Sequence, residues 1–473
     1  MRVRTFLVVF LLLLVPGLSG AGAATSTAGP GSPVGPDPYW KYDGNGGTDA
    51  LRYNIQVSYD FGTRTLRGRT VVTMRAKQDL TSFTLDLLLP VQAVRVDGRT
   101  ARFAKPLNHE LKVVPSRTIA SGDIFRVDVT YAGKPDAYTY GGERNWLADR
   151  TEVVAMNQPH MAPWWFPSND HPTDKAKFDV RVTAPRGKRV VSNGSLVSRT
   201  VSGTRATTHW RMLDPMATYL AFFAAGGYDV ATGRTGKGIP YYYAVSQQLP
   251  SGERTRAMRQ LRQSGPVTDW LQGWLGTYPF TSTGGLVTGL DVGFALENQT
   301  RPTYGAWIYP GVVVHELAHQ WFGDSVAVNR WKDIWINEGF ATFSEVAYAA
   351  AHGGPSVASW LNGAYQDRCD EGGSSFWTLD LTAPGASNIF HEAVYDRGAM
   401  VLAALQNRIG ATQLRSLLRT WVAAHHDGNA SVAQFEALAA SETGEDLSGF
   451  FDAWLRDGTV PAGADNGLVH ACS

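Results

Sequence analysis

His315, Glu316 and His319 stand in the order HExxH, and Glu338 follows nineteen positions after the second histidine. Residues four apart on a helix lie on one face about one turn apart, so both imidazoles can reach a single tetrahedral ion. Glu338 completes a two-histidine, one-glutamate donor set that leaves a fourth position for water. Glu316, next to the first histidine, then sits beside the ion and can serve as general base toward that water. The chemistry so assembled is metal-assisted hydrolysis with one Zn2+. A lone buried histidine is more often satisfied by backbone groups than by a metal. Three ligands of the right type with an adjacent base outweigh that reading.

Positioning these side chains takes two helices. Val312, Val313, Val314, Leu317, Ala318, Trp321 and Phe322 make the first one apolar, with Pro310 as its start and Gly323 as its stop. A second amphipathic segment begins near Asp333 and carries Asn337-Glu338-Gly339-Phe340-Ala341. The residues between leave room for a turn and an antiparallel return. Further helices are expected from Met258 to Leu275, from Gly339 to Ala351 and from Val394 to Ile409. Upstream, Tyr53 to Tyr59, Phe125 to Val129 and Phe178 to Val182 alternate apolar and polar residues as strands do, and Asp97-Gly98 and Asn193-Gly194 read as hairpin turns. The expected fold is a multi-domain α+β chain: an antiparallel β-sandwich or saddle domain over 51–235, then a mostly helical domain with a small sheet over 236–461 and a tail over 462–473. Residues 24–50 are rich in Gly, Pro and Ser and read as a flexible linker. No internal repeat is visible.

With both blocks in view, HELAHQWFGD and WINEGFATF, the chain resembles the zinc aminopeptidases of the membrane alanyl aminopeptidase and leukotriene hydrolase family. The likeness runs from about Tyr53 to Pro461. Trp274 to Phe280 is similar to the segment leading into that family's exopeptidase motif, and the motif itself, usually GAMEN, appears as Phe294-Ala295-Leu296-Glu297-Asn298. Val394 to Ala399 is similar to the block bearing the family's catalytic tyrosine, and Trp165 to Pro172 with Asp174-Lys175-Ala176 resembles the block closing the back of the active site. The resemblance implies a thermolysin-like catalytic domain. It implies that Tyr395 donates to the carbonyl oxygen as charge builds there. It gives Glu297 the substrate's free ammonium, so that cleavage falls after the first residue, and gives the backbone of Ala295 and Leu296 a strand-like pairing with the peptide. Without the motifs, Tyr395 reads as a helix tyrosine half buried against Phe390 or Leu402, and Glu297 as a loop glutamate at the surface. Three positions depart from the family pattern. Phe294 replaces glycine and Leu296 replaces methionine, which makes the wall of the first side-chain pocket bulkier. Gln158 stands where many relatives have a glutamate that helps hold the amine. The large helical domain that follows in longer relatives has no counterpart here, so a more open cleft is expected.

Composition limits the alternatives. The chain has 473 residues, 44% of them hydrophobic, and a formal net charge of +1, with no basic block or basic helix face. That argues against nucleic acid as a partner, and the resemblance implies peptides. Met1 to Arg4, the apolar run Phe6 to Val15 and the small residues at Ala21-Gly22-Ala23 read as a secretory signal peptide over 1–23. No stretch approaches the roughly 20 apolar residues of a membrane span. The expectation is a secreted or periplasmic monomer without stable membrane insertion. Cys369 and Cys472 are the two cysteines, and an oxidising compartment favours a disulfide between them. No paired spacing supports a second metal at His160 and His171. Two other readings stand beside the aminopeptidase: a metallopeptidase with relaxed or internal cleavage, motivated by Gln158 and by the expected lack of the longer relatives' helical domain, and a binding or scaffold protein that keeps the fold without catalysis.

Overall fold

The computed structural model describes residues 28–469. An eight-stranded sheet dominates the first half, in the order 195–202, 205–216, 176–185, 48–60, 65–76, 124–133, 91–96, 99–100. Neighbours are antiparallel except at the centre, where Ala176–Pro185 runs parallel to Thr48–Asp60 with Val180 opposite Ile55. Period-two alternation puts Tyr53, Ile55, Val57 and Tyr59 on one buried face, as read from the sequence. These residues share one core with Phe83, Leu85, Leu111 and Val113 of a second sheet and with Val153, Val154 and Phe223 of a third.

The two turn signals part company. Asp97 and Gly98 both take left-handed φ values, 48° and 78°, and join strands in which Val96 pairs with Arg99. That is the two-residue hairpin the sequence asks for. Asn193-Gly194 is no hairpin, because the strands Arg189–Ser192 and Ser195–Ser202 belong to different sheets. Instead the buried Asn193 amide donates to the carbonyls of Leu220 and Gln299 and accepts from Phe222 N. Its hydrogen bonds pin a sheet change.

The linker expectation needs correction over 28–50. Asp37 accepts from Trp331 N at 2.8 Å, the Tyr39 hydroxyl accepts from Gly385 N at 2.9 Å, and Trp40 packs edge-on against Trp331 and His160. Composition suggested a chain without partners; a few polar and aromatic anchors are enough to tie it to both halves of the molecule. The signal-peptide reading, 1–23, lies outside the described residues. Cys369 is disulfide-bonded, and Cys472 lies outside the described residues.

The second half opens with a four-stranded sheet, ordered 228–234, 240–246, 283–287, 303–304, followed by helices. The expected helix from Met258 to Leu275 is two, Ser251–Leu261 and Ser264–Leu275. Pro266 explains the break: it lacks the N–H that would continue the ladder and is tolerated only in the first turn of a new helix. Helix Trp335–Ala351 lies against Glu392–Ile409 at a glycine contact, where a Cβ on Gly339 would come within 2.8 Å of Gly398 Cα. This close approach carries Glu338 and Tyr395, their near neighbours in sequence, into one site. Lys175 clamps the halves together by donating to the carbonyls of Asp324 and Ser325 at 2.8 and 2.9 Å. Among the described residues, no helix is long and apolar enough to cross a membrane.

Candidate active site

Helix Pro310–Ala318 starts at Pro310, as predicted, and leaves His315, Glu316 and His319 buried. The chain turns off at Gly323, whose φ of +129° suits glycine, and an added Cβ there would sit 3.3 Å from His319 Nδ1. The return brings Glu338 in on the first turn of the next helix. Its Oε2 lies 3.3 Å from His315 Nε2 and 3.2 Å from His319 Nε2, and the three donor atoms all lie within 4.8 Å of one another.

Partners on the far side of each ring show that this set fits a metal. His319 Nδ1 is 2.9 Å from the carbonyl of Phe322, which can only accept, so Nδ1 carries the proton and Nε2 presents its lone pair to the centre. His315 Nδ1 is 2.9 Å from Glu345, which acts in the same way. Burial alone would raise the pKa of Glu338, but the two histidines, whose own values the carboxylate raises, bring it down to about 2, so it stands as a carboxylate beside rings that release a proton on binding an ion. Two imidazole lone pairs and one carboxylate converging in a buried space are the donors Zn2+ takes.

Glu316 lines the same cavity, of about 410 Å³, with its carboxyl pushed up to about 8 by burial against the opposing pull of the two histidines. Tyr395 also lines it, its ring stacked on that of His315 at 6.0 Å between centroids. Burial first, then Glu338, Glu297 and Glu316, hold the phenol well above its ordinary pKa, so it remains a donor. The surface reading of Glu297 is excluded, because only 2% of it is exposed. Its Oε1 accepts from Gln158 Nε2 at 2.9 Å and from the Tyr219 hydroxyl at 3.1 Å, and burial raises its pKa.

The backbone assignment divides. Leu296 N and O are both taken by Thr303, at 2.9 and 2.8 Å, and its side chain is buried away from the cavity. Leu296 thus has its backbone N–H and C=O engaged within the protein and does not line the cavity. In an extended segment consecutive residues face opposite ways, which turns Ala295 and Glu297 to the cavity instead. Phe294 does form its wall, 39% exposed, together with Tyr309.

Four residues went unread in the sequence. Tyr219 fixes Glu297 from a distant turn. Gln320 takes Thr300 N at 2.7 Å and donates to the Glu297 carbonyl at 3.2 Å, tying the Glu297 segment to the helix of His315 and His319. Glu345 was within reach, since it lies seven positions after Glu338 and so on the same helix face. Nothing local marks Tyr219 or Thr300. His160 and His171 carry no metal arrangement: His160 lies between Asp43 and Glu143, at 2.6 and 3.3 Å, and His171 meets Thr173.

The Peptidase M1 N-terminal domain matches residues 49–220, and the Peptidase family M1 domain matches 284–454. The chain belongs to peptidase family M1. Among curated relatives, Aminopeptidase M1-B of Oryza sativa subsp. japonica is 27% identical over 456 residues, covering 87% of this chain and 50% of its own length. Aminopeptidase N of Lactococcus lactis subsp. lactis is 23% identical, covering 86% of this chain and 51% of its own. The chain thus spans about half the length of these relatives. The M1 zinc metallopeptidase from Deinococcus radiodurans superposes with a TM-score of 0.79 at 26% identity, covering 90% of this chain and 98% of that one. A mutant of that protein, with a TM-score of 0.79, 26% identity and the same coverage, has been solved with a Tyr-Ser-Ala substrate. The M1 fold, a β-rich N-terminal domain with a helical catalytic domain behind it, is the one described above.

Proposed function

We propose that this chain is a secreted, monomeric zinc aminopeptidase that removes single residues from the free amino end of peptides. One observation carries the reading: Glu297, fixed by Gln158 and Tyr219, opens into the same cavity as the converging His315, His319 and Glu338. His315, His319 and Glu338 hold the zinc, which when bound supplies a Lewis acid that acidifies water and polarises a peptide carbonyl. Glu316 takes the proton from the attacking water and passes it to the departing amine; its buried, proton-retaining environment suits that exchange. Tyr395 donates a hydrogen bond to the carbonyl oxygen as negative charge grows there. Glu297 pairs with the substrate ammonium, which in turn draws the buried carboxyl back to its charged form. Gln158 contributes no charge of its own and orients Glu297. Ala295 supplies the backbone pairing. Residues 1–23, read as a leader, would support export.

A panel of aminoacyl arylamides tests the reading. Free aminoacyl arylamides should be hydrolysed, the activity should disappear on chelation, and stoichiometric zinc should restore it. A purified chain that binds no zinc, or that cleaves none of the panel with zinc bound, overturns the assignment.

A further inference from the structure

Strands Leu80–Asp86 and Glu110–Val114 pair antiparallel with Asp86 directly opposite Glu110. Two carboxylates facing each other across a strand pair repel unless something offsets them. Here both are fully buried, and His109 beside them is 5% exposed. One donor atom from each of Asp86, His109 and Glu110 lies within 4.8 Å of the other two.

Hydrogen bonding leaves the cluster unfinished. Asp86 Oδ2 collects Gly44 N, Asn45 Nδ2 and Asp170 N, at 3.2, 3.1 and 2.8 Å, whereas Oδ1 receives no donor. Neither oxygen of Glu110 receives a hydrogen bond. His109 Nε2 stands 3.5 Å from Glu110 Oε1 and donates to the carbonyl of Tyr42 at 3.1 Å, a proton that an incoming ion displaces. The positive groups nearby are committed elsewhere: His160 to Asp43 and Glu143, and Lys105 to the carbonyls of Leu88 and Leu89. Asp43 and Asp170 add further negative charge around Asp86.

We propose that Asp86, Glu110 and His109 form a second metal site, holding a divalent transition-metal ion of the Mn2+ class through two carboxylates and one imidazole. Orphaned, fully buried carboxylate oxygens aimed at a shared centre are what such an ion satisfies. The role is structural. The ion would fasten the strand pair to the Tyr42–Asn45 segment and has no part in peptide hydrolysis.

The zinc-loaded full chain, dialysed against Mn2+ and then against Mn2+-free buffer, should retain one zinc and one manganese per chain by elemental analysis. Pulsed electron paramagnetic resonance of the retained Mn2+ should show coupling to one imidazole nitrogen, where the catalytic site would give two. Glu110→Gln and Asp86→Asn should each lower manganese retention at least tenfold while arylamide hydrolysis and zinc content persist. Should these variants fail to fold, the nitrogen coupling of the unaltered chain decides. Absence of retained manganese, as expected if the carboxylates merely share a proton, overturns the proposal. So does manganese retained without a single-nitrogen coupling, or retained undiminished in a folded Glu110→Gln chain.

Discussion

The two ends of the catalytic cavity are built differently. At the metal end, His315, Glu316, His319 and Glu338 come from two successive α-helices within twenty-four residues, and outer partners lock both rings. At the amine end, Glu297 is held by Gln158, Tyr219 and Gln320, from four separate segments spanning both domains. The first is a local motif that works wherever its two helices fold. The second exists only when the β domain docks, through Lys175 and Asn193, onto the catalytic half. Hydrolysis is therefore assigned to one end, and the rule about where to cut to the other.

Substitutions separate the ends. Glu316→Ala should have the largest effect, lowering kcat by about 10³-fold or more while zinc stays bound, as checked by steady-state kinetics with elemental analysis. Tyr395→Phe should follow, with kcat down roughly 10²-fold to 10³-fold and KM little changed, because its hydrogen bond strengthens only as the oxyanion forms. Glu297→Gln should lower kcat/KM for free peptides by about 10-fold to 100-fold, the worth of a charge-assisted bond, without slowing blocked ones. Tyr219→Phe should cost about 1 kcal/mol, a factor of roughly five in kcat/KM, since it loosens Glu297 without removing it. If Tyr219→Phe matched Glu297→Gln, the amine clamp would reside in the pair.

That same difference explains what the sequence disclosed. The two histidines were legible because helical spacing places them, and Glu338 because nineteen positions leave room for an antiparallel return. Tyr395 was legible only through its motif; its neighbour in space is His315, eighty positions away, and the Gly339 and Gly398 contact that brings them together has no pattern in a single helix. Alternation exposed the strands of the large sheet but not their partners, and Asn193-Gly194 looked like a hairpin because turn chemistry does not say which sheet comes next. The setting of Leu296 was hidden for a related reason: a four-residue motif gives no register, and its backbone pairs with Thr303 while its side chain stays out of the cavity lining. The packed segment over 28–50 escaped because its anchors, Asp37, Tyr39 and Trp40, are few among many Gly and Pro.

The central claim is that Glu297 reads a free amino terminus for a metal site that would otherwise cut without that restriction. The direct measurement compares hydrolysis of one peptide with that of its amino-terminally acetylated twin, in the unaltered chain and in Glu297→Gln. The account predicts that acetylation slows cleavage by the unaltered chain at least about 10-fold and that this gap largely closes in Glu297→Gln. Equal rates on both peptides in the unaltered chain would contradict it.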